Sequence, residues 1–219
     1  MIVLAIDTAG VDCSAALFDS TAGVILARAT EAIGKGHAER LMALIDEVLV
    51  SAGIALQAVE RVAVVIGPGS FTGIRVGVAA ARGLALALRI DCVGVTTLEV
   101  LARHYLFENA GLPVVAAMDA KRGEIYAQAF DVSGEALSEP QALSPEGVAE
   151  LARLHGAMVT GSWAAHSSAP DALPQPDHFD IATVARLGSE KPIGSERPKP
   201  LYLRGPDAKI QVGFALARS

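Results

Sequence analysis

The chain has 219 residues, enough for one large domain or two small lobes around a shared core. Hydrophobic residues make up 52% and aromatic residues only 5%, so Ala, Val, Leu and Gly must do most of the packing. A formal net charge of -6 excludes an autonomous nucleic-acid binder of the ordinary basic kind, because neutralising phosphates drives that binding.

The start, "MIVLAIDTAG", is apolar but has no basic leader and is interrupted by Asp7; it reads as a first strand. "IVLAID" and "CSAALFD" form a hairpin pattern across "TAGVD", and "GVILARAT" would add a third strand. "HAERLMALIDEVLVSAG" has helical spacing and stops at Gly53. "RVAVVI" is a short unbroken apolar run, as in a strand covered on both faces. The glycine stretch "GPGSFTGIRVG" follows, then a helix over residues 72–88, a buried strand "DCVGV" and a helix after Thr96 or Thr97. The window from Val76 to Ile90 carries Arg82 and Arg89 and is too short to span a bilayer. Cys13 and Cys92 show no disulfide or zinc spacing. A soluble, reduced, cytoplasmic protein is expected.

The second half repeats the first. "VLAIDTAGVDCSAALFD" aligns without a gap on "VAAMDAKRGEIYAQAFD", matching Asp7 with Asp119, Ala15 with Ala127 and Phe18 with Phe130. This predicts a duplicated hairpin, with residues 1–110 as one lobe and 111–219 as a second, shortened one. A helix opens at the Ser-Pro pair of "SPEGVAELARL", "AMVTG" is a strand, and the proline-rich segment from Ser189 to Asp207 reads as extended, with "LYLR" as an anchor.

The glycine stretch fails both phosphate motifs. Ile74 stands where a Walker loop needs lysine, and Gly67, Gly69 and Gly73 are spaced one residue too long for a dinucleotide fingerprint. Glycine inside a helix costs about 1 kcal/mol against alanine, so Gly73 and Gly77 need a compensation, and close approach of another backbone supplies one. Two arrangements satisfy this. In the first, the wide apolar faces of the two helices (Leu41, Met42, Ile45 and Leu49; Gly73, Val76, Gly77, Ala80 and Leu84) form a subunit interface. In the second they line an alanine-rich core, and Gly77 faces the chain's own sheet.

"IDT", "HAERL", "GPGSFTGIRVG", "DAKRGEIY" and "YLR", in this order, resemble the TsaB (YeaZ) family. The resemblance implies an actin-like, Hsp70-like (ASKHA) α/β fold of two related lobes. It also implies a non-catalytic, activating subunit in bacterial tRNA threonylcarbamoyladenosine synthesis, paired through its first two helices with the catalytic paralogue TsaD. The ATPase TsaE joins, and the complex transfers threonylcarbamoyl to the adenosine beside the anticodon of ANN-decoding tRNAs. tRNA would be met only through the complex, and a homodimer would use the same face when the partner is absent. No cofactor, catalytic residue or metal is implied: the catalytic paralogue carries H-x-x-x-H, whereas His37 here is followed four residues on by Leu41, which removes the chelate.

Asp7 and Asp119 have two readings, as residual nucleotide ligands or as residues that satisfy turn backbone. Lys121, Arg122 and Arg204 also have two: tRNA or partner contacts, or solvated charge. The rival functional class is an autonomous ASKHA-type small-molecule kinase or ATPase with Asp7 holding the metal.

Overall fold

The computed structural model describes residues 1–109, 111–120, 123–164, 178–194 and 196–203. The first sheet has the order β3-β2-β1-β4-β5. Its strands are β1 (Ile2–Asp7), β2 (Asp12–Asp19), β3 (Val24–Ala32), β4 (Arg61–Val65) and β5 (Asp91–Val95). β1, β2 and β3 are antiparallel neighbours, while β4 runs parallel to β1 and β5. The parallel strands are linked by α1 (His37–Ala52) with a short 3-10 turn (Leu56–Ala58), and by α2 (Phe71–Leu88). α3 (Thr97–Glu108) then leads to the second sheet.

That sheet has the order β8-β7-β6-β9, with β6 (Val114–Asp119), β7 (Ile125–Phe130), β8 (Gln141–Leu143), α4 (Pro145–His155) and β9 (Met158–Thr160). Three antiparallel strands, a helix and a parallel strand thus repeat the plan of β1-β2-β3-α1-β4. Helix resumes after β9 at residues 162–164, as α2 follows β4, and among the described residues the second sheet has no counterpart of β5. α5 (Ile181–Glu190) closes the described chain.

The repeat holds for topology but not for residue register. Asp7 pairs with Ser14 across the first hairpin, whereas Asp119 pairs with Ile125 across the second, whose connection is one residue shorter. Ala15 therefore shares a face with Ile6, while Ala127 shares a face with Ala117, the counterpart of Ala5. A one-residue slip moves side chains to the opposite face. The gapless match of the second strands is thus corrected to a match shifted by one.

The layers follow from the apolar patterns. α1 and α2 cover one face of the first sheet and α5 the other: Val64 meets Gly77 of α2, and its neighbour Ala63 meets Gly188 of α5. Both faces being covered, Val62 to Val65 are all fully buried. α3 packs on β6 and on α5, so the two sheets share one apolar core that includes Val114, Ala116, Met118 and Phe130. A smaller cluster around Val115, Ile125, Ala127, Val148 and Leu151 lies under α4.

Local signals set the helix ends. Ser70, Ser144 and Asp180 each accept a backbone N–H as N-caps, and Thr96 with Glu99 forms a reciprocal capping box. Gly53 ends α1 at a φ of 65°. The sequence reading missed α5, although Asp180 ahead of Ile181, Val184, Ala185 and Gly188 is a capped amphipathic pattern. Arg61 ties α5 down: its buried guanidinium donates to the carbonyls of Gly188 at 3.0 Å and Lys191 at 2.7 Å, and pairs with Asp91 at 3.1 Å.

Candidate functional site

The glycine stretch lies over the turn that follows β1, and the chain's own backbone fills it. The N–H of Ser70 donates to the Ala9 carbonyl at 2.7 Å. The Thr8 hydroxyl donates to the Gly73 carbonyl at 2.7 Å. A Cβ on Gly73 would stand 1.9 Å from the Thr8 carbonyl oxygen, and one on Gly77 would stand 2.5 Å from the Thr8 hydroxyl. A Cβ on Gly69 would meet the Ala9 carbonyl oxygen at 2.5 Å. Gly67, at a φ of 99°, faces Ile74 and the Leu201 carbonyl, and the N–H of Leu201 donates to Ile66 at 2.8 Å. The Thr97 hydroxyl closes the far side by donating to the Pro68 carbonyl at 2.8 Å. These glycines admit backbone rather than phosphate.

This resolves the two arrangements for Gly73 and Gly77: Gly73 is buried against the turn after β1, and Gly77 against that turn and Val64 of the chain's own sheet. The expected interface set is corrected in the same way. Leu41, Ile45 and Leu49 are buried in the chain's own core against β2 and β3, and the polar side of α1 faces outward. Met42 is 46% exposed, and Val76, Ala80 and Leu84 are half-buried along one flank of α2. The outer face of α2 is formed by Thr72, Ala79, Gly83, Leu86 and Ala87, with Arg75 and Arg82 to one side. Gly83 is the glycine that the sequence reading missed: a Cβ there would meet nothing within 4 Å. The signal was its position midway around the helix from the buried Gly73–Gly77 line.

Asp7 ends β1 with its side chain fully buried. Its Oδ1 accepts the Ala9 N–H at 2.8 Å, a local turn bond, while Oδ2 has no partner. Ser14 sits directly across the hairpin, and its buried hydroxyl is also unpartnered. Burial, followed by the nearby charge of Asp12, pushes the Asp7 carboxyl up to about 7, against the bond from Ala9, which lowers it. Asp119 occupies the corresponding end of β6 but is exposed, and its N–H donates to the Ser162 hydroxyl at 3.0 Å. The two carboxylates thus sit in opposite environments.

His37 opens α1, and its Nε2 lies 3.1 Å from the Asp12 carbonyl. The Asp12 carboxylate in turn meets His178 Nδ1 at 2.6 Å. Among the described residues no three His, Cys, Asp or Glu side chains gather as metal ligands. Lys121, Arg122 and Arg204 lie outside the described residues. Of the "LYLR" segment, Leu201 and Tyr202 lie outside any strand, and Tyr202 stacks on Phe71 at 5.1 Å and accepts a bond from Arg75 at 2.8 Å. α2 is long and apolar enough by composition to cross a membrane, but its inner face is seated on the first sheet.

Two lobes of one hairpin plan, with an acid at each turn, define an actin-like (ASKHA) α/β protein. The family model described as "TsaD: tRNA N6-adenosine threonylcarbamoyltransferase" matches residues 25–189. The tRNA threonylcarbamoyladenosine biosynthesis protein TsaB of Escherichia coli K12 is 30% identical, with 93% of this chain and 95% of that protein covered. Its namesake in Haemophilus influenzae is 31% identical, covering 92% and 93%. A crystal structure described as an uncharacterized protein with similarity to peptidase YeaZ from Pseudomonas aeruginosa superposes with a TM-score of 0.77 at 28% identity, covering 93% of this chain and 99% of that one. YeaZ from Pseudomonas aeruginosa superposes at 0.60 with 34% identity, covering 67% and 70%. The chain belongs to the TsaB (YeaZ) family of tRNA threonylcarbamoyladenosine biosynthesis proteins.

Proposed function

We propose that this chain is a non-catalytic subunit that binds and activates the catalytic paralogue TsaD. The assembled complex, with the ATPase TsaE, transfers a threonylcarbamoyl group to the adenosine beside the anticodon of ANN-decoding tRNAs in the cytoplasm. The observation that carries the reading is Gly83. It sits in the middle of α2, exposed, with no atom of the chain near the place of its missing side chain. An exposed helical glycine costs about 1 kcal/mol against alanine, and here no contact within the chain offsets that. Ala79, Ala87 and the 76%-exposed Leu86 continue the same uncharged face. Such a face suits close approach by a partner helix, or by a second copy when TsaD is absent.

The sealed turn supports a supporting role over an autonomous kinase or ATPase. A phosphate-binding ASKHA turn needs open backbone, and a metal ligand needs a charged carboxylate. Here backbone closes the loop, and burial favours the neutral form of Asp7. The test is reconstitution with TsaD, TsaE and tRNA from the same cell, supplied with ATP and with threonylcarbamoyl-adenylate as the donor of the transferred group. The chain alone should leave tRNA unmodified, and TsaD should gain activity when it is added. Leu86→Glu, on the exposed face, should abolish that gain while the protein remains folded. Magnesium-dependent ATP turnover by the isolated chain would overturn the reading.

A further inference from the structure

Arg82 lies near the C-terminal end of α2, Arg89 is the left-handed residue that caps that end, and Arg197 arrives from the extended segment after α5. All three line one cleft of about 630 Å3, in the range of small-molecule sites. We propose that this cleft binds a phosphate ester through the three guanidinium groups.

The charges in the cleft are not balanced from within. Its one carboxylate, Asp91, is already held by Arg61 at 3.1 Å and accepts the Cys92 N–H at 3.1 Å. Glu196, next to Arg197 in sequence, pairs with Lys199. Among the described residues no ion pair or hydrogen bond engages the side chains of Arg82, Arg89 or Arg197. The C-terminal end of α2 carries a partial charge of about -0.5, too small to account for three cations. Guanidinium forks match phosphate oxygens, and three of them from two chain segments enclose an anion from more than one side. Ile90 and Cys92 give the cleft an apolar wall against which a base or sugar can lie, and Gly83 and Leu86 join its rim to the outer face of α2.

The cleft is separate from the Asp7 turn. It opens at the start of β5, whereas α/β sheets bind ligands at the carboxyl ends of their parallel strands. Gly73, which touches that turn, and Arg89 are roughly 24 Å apart along the helix axis. The phosphate can belong to a free nucleotide or to an RNA backbone, and the two sources behave differently in solution.

The test is equilibrium binding of ATP and, separately, of tRNA to the full chain at several salt concentrations. The variants are Arg82→Gln/Arg197→Gln together and Asp7→Asn as a control for the other end of the sheet. The double variant should lose at least tenfold in affinity for ATP if the source is a nucleotide. If the source is RNA, tRNA affinity should fall and its log–log salt slope should drop by about 1 to 2. Asp7→Asn should change neither. If the double variant melts lower than the parent, Arg197→Gln alone, outside any helix, carries the test with a threefold or greater loss. Absence of saturable binding of both probes, or equal binding by parent and variants, overturns the proposal.

Discussion

The turns after β1 and after β6 begin from the same hairpin plan and end with opposite chemistry. In the first lobe the start of α2 presses onto Thr8 and Ala9, burying Asp7 completely and leaving one of its oxygens without a partner. In the second lobe helix resumes directly after β9, at residues 162–164, and the Ser162 hydroxyl accepts the Asp119 N–H, yet the Asp119 side chain stays exposed. The same residue type at corresponding strand ends is a carboxyl raised to about 7 in one lobe and an exposed side chain in the other. Burial rather than residue identity separates them. The difference teaches that a duplicated acid indicates a site only when the backbone around it is open.

The largest effect should come from prising the first turn open. Gly73→Ala places a methyl group against the Thr8 carbonyl and should destabilise by about 3 kcal/mol, at the upper end of ordinary overpacking. Thermal unfolding should show a drop of about 6 to 12 °C for a chain of this length. Gly77→Leu should likewise act on the melting temperature, since that glycine meets Thr8 and Val64.

The next contrast is in pH. The folded Asp7 carboxyl titrates at about 7, above its ordinary 3.8, so the folded state holds a proton that the unfolded chain releases between these values. Stability contributed at low pH is therefore lost as pH rises from about 4 to 7 and levels off above that. Asp7→Asn keeps the bond to Ala9 and removes this loss, so it should gain on the parent by on the order of 2 kcal/mol at pH 7. Denaturant midpoints at pH 4.5 and 7.5 give the difference.

Thr8→Val removes the hydroxyl bond to the Gly73 carbonyl while keeping shape, and should cost about 1 to 2 kcal/mol by urea denaturation. The smallest effect is a gain: Gly83→Ala fills open space on a helix and should stabilise the isolated chain by up to about 1 kcal/mol.

The sequence made the strand-helix alternation legible because its signals are local. Apolar runs marked β4 and β5, Thr96 and Ser144 marked helix starts, and Gly53 marked a stop. The glycine stretch was legible as a packing device, but not what it packs on. Gly73 and Gly77 touch Thr8, more than sixty residues earlier, and no local pattern carries that contact. Leu41, Ile45 and Leu49 were assigned to an interface because a wide apolar stripe looks the same in sequence whether a sheet or a partner covers it. α5 was passed over between proline-rich neighbours, although it covers the whole second face of the first sheet. The meeting of Arg82 and Arg89 with Arg197 was likewise invisible before the chain was folded.

The central claim is that the outer face of α2 belongs to a partner. The most direct measurement is the dissociation constant between TsaD and the Gly83→Leu chain, taken beside the melting temperature. The account predicts melting that is not lowered and binding weakened roughly ten- to a hundredfold, the equivalent of about 1 to 3 kcal/mol of overpacking at the contact. An unaltered dissociation constant in a folded protein would contradict it.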